Sequence, residues 1–129
     1  MFHRATQTRE MDVVTKFLRR IMLAYSTWDY APVEELIHTD ASLRTKEGVK
    51  TGIDPIIRHL KAEGKQRYKA TIVAPKGGLT TVIISPVLAD GVRGKEHEIV
   101  LRVHRDKIAE VIDLQRTPDM VYRPESQPF

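Results

Sequence analysis

Apolar residues recur every three or four positions early in the chain: Met11, Val14, Leu18, Ile21, Tyr25 and Trp28, with Phe17 and Ala24 widening the stripe. That spacing predicts a long amphipathic helix, because a 3.6-residue turn keeps such positions on one side. Thr8 is its expected N-cap, with Glu10 and Asp12 near the positive end of the helix dipole. A short second helix is expected from Asp29, which puts Pro32 in the first turn, where a missing N–H costs nothing. Val33, Leu36 and Ile37 form its apolar side. Asp54-Pro55 repeats the cap-and-proline signal and opens a third helix, closed by Gly64. Its buried side is Ile53, Ile56, Ile57 and Leu60.

The period then changes. ASLRT (41–45) reads as a short strand and KEGVKTG as a polar loop. Beyond Gly64, strands are expected over 66–74, 79–88, 95–104 and 107–115, separated by turns such as PKGG and ADGVRG. Helices first and strands afterwards predict an α+β domain. A curved antiparallel sheet packed on three N-terminal helices would leave a pocket between its concave face and the helices. Residues 1–10 read as an N-terminal extension, 11–116 as the domain, and 117–129 as an extended tail rich in proline.

Composition narrows the chemistry. The 129 residues fit one domain with one core. There is no cysteine, which excludes disulfides, thiolate catalysis and Cys-ligated zinc, and suits a cytoplasmic protein. The longest apolar run, Val82 to Ala89, is broken by Ser85 and Pro86, far short of the ~20 residues that span a bilayer. No membrane association is expected. The formal charge is +4, and Arg58, Lys61, Lys65, Arg67 and Lys69 cluster against Glu63 alone. Tyr68 is the only aromatic residue among them, so the cluster reads as a solvated helix end and edge strand, and nucleic acid is not an expected partner.

Asp29 opening helix two, Asp40-Ala41 entering the first strand, Gly52 ahead of helix three and the late DKIAEVIDLQ hairpin together resemble the nuclear transport factor 2-like superfamily. Within it the chain is most similar to the SnoaL-like group of small bacterial proteins, over roughly residues 10 to 116. The resemblance implies the cone fold but no single activity, since the superfamily spans isomerases, cyclases, epoxide hydrolases, dehydratases and non-catalytic modules. The steroid-isomerase pattern would need proton-exchanging groups at Ile21, Thr45 and Val100, which do not supply them. The epoxide-hydrolase pattern is broken at Thr81 and Ile83 but matches at Asp113. The SnoaL-like cyclases also place an acid/base carboxylate there, so the resemblance implies Asp113 as the catalytic residue.

With Arg105-Asp106 as a two-residue turn, Arg102 would pair with Ala109, Val100 with Val111 and Glu98 with Asp113. The resemblance puts this set on the concave side, where Glu98 would tune Asp113 as a proton carrier and Arg102 would hold a substrate oxygen. The expected ligand contacts are Tyr25, Trp28, His38, Leu60, Glu98, Val100, Arg102, Val111 and Gln115. The other face, Ile99, Leu101, Val103, Ile108, Ile112 and Leu114, would be convex and apolar, and a sheet-to-sheet homodimer is its simplest cover. His59 reads as an exposed residue of a basic helix. His97 and His104 fall on opposite faces, so no metal site is expected. No phosphate loop or nucleophile motif occurs, and no cofactor is expected. Two functions follow: a binder of a small, largely apolar molecule with cofactor-independent acid/base catalysis, or a non-catalytic homodimeric ligand-binding or interaction module.

Overall fold

The first apolar stripe forms α1 (Phe2–Thr27). Val14, Phe17, Leu18, Ile21 and Ala24 are buried on it, while Met11 and Trp28 at the ends of the stripe are exposed. The helix starts six residues before Thr8, which therefore lies inside it and does not cap it. It stops where Trp28 turns left-handed (φ 61°), with the Trp28 N–H donating to the Ala24 carbonyl at 2.7 Å. The computed structural model describes residues 2–63, 67–73, 75–87 and 96–114. Gly64, Lys65, the 89–94 turn, Gln115 and the tail lie outside them.

Helix α2 (Ala31–Glu34) is a single turn. Asp29 Oδ1 accepts the Ala31 N–H at 3.1 Å, but Ile37 has already left the helix for the sheet. Arg20 ties α2 to α1, donating to the Pro32 carbonyl at 2.7 Å and to Glu35 at 3.3 Å. Helix α3 (Ile53–Glu63) buries Ile56, Ile57 and Leu60 as its spacing requires.

Six strands follow the sequence as β1 (Ile37–Thr45), β2 (Gly48–Thr51), β3 (Arg67–Ile72), β4 (Leu79–Val87), β5 (His97–His104) and β6 (Lys107–Asp113). They form one curved, open sheet in the order β2-β1-β6-β5-β4-β3. All neighbours are antiparallel except β1 and β6, so the sheet is mixed and larger than the expected four-stranded meander. Four of the seven residues of KEGVKTG form strand β2, not loop. All four of its residues are exposed, so no apolar alternation marked it, and its pairing with β1 holds it in place.

The β5–β6 hairpin decides which side chains face the helices. Arg105 and Asp106 form the two-residue turn, both at positive φ (50° and 64°), and His104 pairs with Lys107. Val103 pairs with Ile108, but Arg102 pairs with Glu110. Ala109 is thus an extra residue on β6, a β-bulge that offsets everything after it by one place. Val100 opposes Ile112 instead of Val111. The inward face carries Ile99, Leu101, Ile108, Val111 and Asp113, all buried. Glu98, Val100, Arg102, Glu110 and Ile112 face the other way.

Two expectations are corrected by this offset. Glu98, Val100 and Arg102 do not share the inward wall with Asp113. Ile99, Leu101 and Ile108 belong to the hydrophobic core and Val103 packs against it, so they form no free convex surface. Of the residues assigned to that surface, Ile112 faces outward beside Val100, and Leu114 is exposed past the end of β6.

Candidate functional site

Asp113 closes β6 on the inward face, paired with Thr45 of the parallel strand β1, and only 1% of it is exposed. A carboxylate so deeply removed from water needs a partner. His59 supplies it: its Nε2 lies 2.8 Å from Asp113 Oδ2, with the imidazole 17% exposed. The local cause is helical spacing. His59 stands three residues after Ile56 and one before Leu60, at the border of the apolar stripe of α3. Helix α3 packs over β1, and β1 is the neighbour of β6, so the helix border comes to rest above the end of β6. An ionised carboxylate only accepts, so Nε2 carries the proton and donates it.

His97 shares this wall. It pairs with Ile84, on the same face as Ile99 and Leu101, and is half-buried. Continuing the β5–β6 register puts it diagonal to Asp113, a separation of about 7–8 Å between strands. In the register expected from the sequence it pointed the opposite way. Among the described residues no group of three side chains is arranged to hold a metal ion.

The other expected contacts scatter. Val111 and Leu60 are buried in the core, and Tyr25 packs against it with its ring edge-on to Tyr30, centroids 6.4 Å apart. Trp28 is 63% exposed. His38 Nε2 donates to the His104 carbonyl at the turn end of the hairpin, where Ile37 pairs with Ile108; Asp113 is at the far end, level with Thr45. Glu98 is exposed on the outward face. Arg102 is half-exposed there, its Nε 3.5 Å from Glu110 Oε1. The same Glu110 accepts from Ser42 Oγ at 3.2 Å and Arg44 Nε at 3.4 Å. Arg102 therefore belongs to a ladder across β1, β6 and β5 and not to a substrate site.

Sequence reasoning missed His59. Its signal was the border position on α3: a titratable residue one step from Leu60, on a helix that must cover the sheet. A second polar feature was also unforeseen. Thr80 Oγ1 on β4 and the Tyr30 hydroxyl are buried without hydrogen-bond partners among the described residues. Each such group costs about 1–3 kcal/mol. Burial pushes the Tyr30 phenol above its usual value of 10.0.

A curved, open sheet packed on helices defines an α+β cone. Solved structures of that class resemble this chain. An NTF2-like protein of unknown function from Mesorhizobium loti superposes with a TM-score of 0.62 at 16% identity, covering 86% of this chain and 93% of that one. A candidate polyketide cyclase from Xanthomonas campestris pv. campestris gives 0.58 at 12% identity, covering 85% and 92%. A de novo designed protein with a curved β-sheet gives 0.67 at 15% identity, covering 82% and 84%. The fold of this chain is thus the nuclear transport factor 2-like α+β cone. No family profile and no curated protein matches the sequence. No described helix is long and apolar enough to cross a membrane.

Proposed function

We propose that this protein binds a small, largely apolar molecule within its cone and moves a proton on it without a cofactor, through the His59–Asp113 pair. The observation that carries this reading is the 2.8 Å contact between a carboxylate 1% exposed and the imidazole of His59 on α3. Asp113 orients the ring and offsets the charge of the imidazolium. His59 takes a proton from a carbon beside a carbonyl, and the C–H electron pair becomes the enolate. Return of the proton to either end of the enolate completes an isomerisation or an exchange. The likeness to a candidate polyketide cyclase supports small-molecule chemistry of this kind.

We infer in addition a cytoplasmic homodimer formed through the outward face. Val100 and Ile112 are paired and half-buried there, beside Thr81 and Ile83.

The acid/base reading is tested with 2-tetralone, a two-ring ketone with acidic α-protons, in deuterated buffer. Wild-type protein should accelerate α-proton exchange seen by NMR, and Asp113→Asn should lose the acceleration. Exchange at the buffer rate with wild-type protein, for this ketone and a panel of smaller ones, would reject acid/base catalysis.

A further inference from the structure

The turn end of the β5–β6 hairpin brings together two histidines that the His59–Asp113 pair does not use. His38 is the second residue of β1, and His104 closes β5. Their ring centroids are 5.8 Å apart, with the planes tilted by 45°. His38 is partly buried and His104 is exposed, so both rings reach solvent. They stand beside the pairing of Ile37 with Ile108, at the end of β6 away from Asp113. The partner of His104 thus lies on β1, not on its own strand.

The hydrogen bond that His38 makes sets up its second nitrogen for coordination. His38 Nε2 donates to the His104 carbonyl. In the neutral ring the other nitrogen, Nδ1, then carries the lone pair. Metal-bound histidines are held in this way: one nitrogen faces the ion and the other donates to a carbonyl or carboxylate. The ring separation fits as well. For an ion about 2.1 Å from each coordinating nitrogen, two centroids stand about 5.2 Å apart at a tetrahedral angle and about 6.4 Å apart in line. The observed 5.8 Å lies between these values. Arg105 and Lys107 border the pair, and Asp106 of the turn and Asp40, two residues along β1, balance their charge.

We propose that His38 Nδ1 and the His104 imidazole bind one zinc ion, with water completing its coordination, so that the ion staples the start of β1 to the β5–β6 hairpin. The register between β1 and β6 shifts between Ile37 and Ser42, so the staple acts where regular backbone pairing is interrupted. With two protein ligands in place of the four of a closed structural site, the ion stays open to exchange. This site is separate from the acid/base pair, and its test stands apart from the 2-tetralone exchange.

Zinc chloride is titrated calorimetrically into metal-stripped wild-type protein, His38→Asn and His104→Asn. Wild type should bind one equivalent with a Kd well below about 1 mM. Each variant should bind at least about 10-fold more weakly, since a change among outer-shell partners alone costs that much. Zinc should raise the melting temperature of wild type and leave that of both variants level. Imidazole nitrogen NMR of wild type should show zinc-dependent shifts on His38 and His104, with His38 coordinated through Nδ1. Wild-type binding weaker than about 1 mM, or full binding kept by either variant, overturns the staple. Shifts confined to His59 or His97 place the ion elsewhere and overturn it too. Should His38→Asn not fold, His104→Asn and the wild-type spectra decide the matter.

Discussion

Glu110 and Asp113 stand three residues apart on β6, both buried carboxylates, and face opposite sides of the sheet. Glu110 meets two guanidinium groups, Arg44 and Arg102, and the Ser42 hydroxyl, all on neighbouring strands. Both arginines are about half exposed. Asp113 meets the imidazole of α3 inside the cone. A carboxylate held between permanent cations works as a clamp between strands. One held by an imidazole faces a group that can both give and take a proton, which suits proton transfer. Burial alone does not separate the two roles; the chemical type of the partner does.

The largest expected effect divides the two residues by activity. Asp113→Asn should slow 2-tetralone exchange by about 10²- to 10⁴-fold, and Glu110→Gln should leave it within about 2-fold. NMR exchange rates on both variants decide it; equal losses would erase the functional distinction. Next is association. Val100→Asp, on the outward face beside Glu98 and Ile112, should weaken the proposed dimer at least about 10-fold by burying an unpaired charge. Light scattering across a dilution series reads this. A wild-type monomer at all concentrations removes the dimer.

A smaller effect tests the clamp. Glu110→Ala should cost about 1–2 kcal/mol in urea unfolding, a modest figure because both arginines remain half-solvated. Most of the ionic share should vanish in 1 M salt. Asp113→Asn, which can still hydrogen-bond His59, should change stability by less than about 1 kcal/mol. A variant of Asp113 that lost stability but not exchange would reverse the comparison.

The fold was legible because its signals are periodic. The α1 stripe, the proline-marked α3 and the four long strands each declare themselves by spacing. Helix α2 was marked by Asp29 and Pro32 but is a single turn that stops short of Ile37, and strand β2 was hidden because it has no buried residue. Asp113 was legible through its place after the hairpin, but its wall was not. The Arg105-Asp106 turn formed as expected, and Ala109 then offset the register within four residues. A bulge at alanine carries no compositional mark, while its effect is to turn Glu98 and Arg102 away and His97 inward. His59 was hidden for a different reason. Its burial comes from the docking of α3 over the sheet, a tertiary fact that helix periodicity alone leaves open.

The smallest effect concerns a buried polar group with no charged partner in hydrogen-bond reach. The Tyr30 hydroxyl is buried without a hydrogen-bond partner among the described residues, the ring lies edge-on to Tyr25, and Lys61 Nζ sits 5.2 Å from the ring centroid. Burial raises its pKa above 10.0, so the folded protein holds this proton at pH values where the unfolded chain releases it. The sign follows by linkage. The contribution is fully present below pH 10 and is lost as pH rises toward the folded value, by at most about 1.4 kcal/mol per pH unit. Tyr30→Phe removes both the titration and the stranded hydroxyl. Its stability should equal or exceed wild type by up to about 1 kcal/mol at pH 7, and its decline between pH 10 and 11 should be shallower. Urea unfolding at pH 7, 10 and 11 measures both.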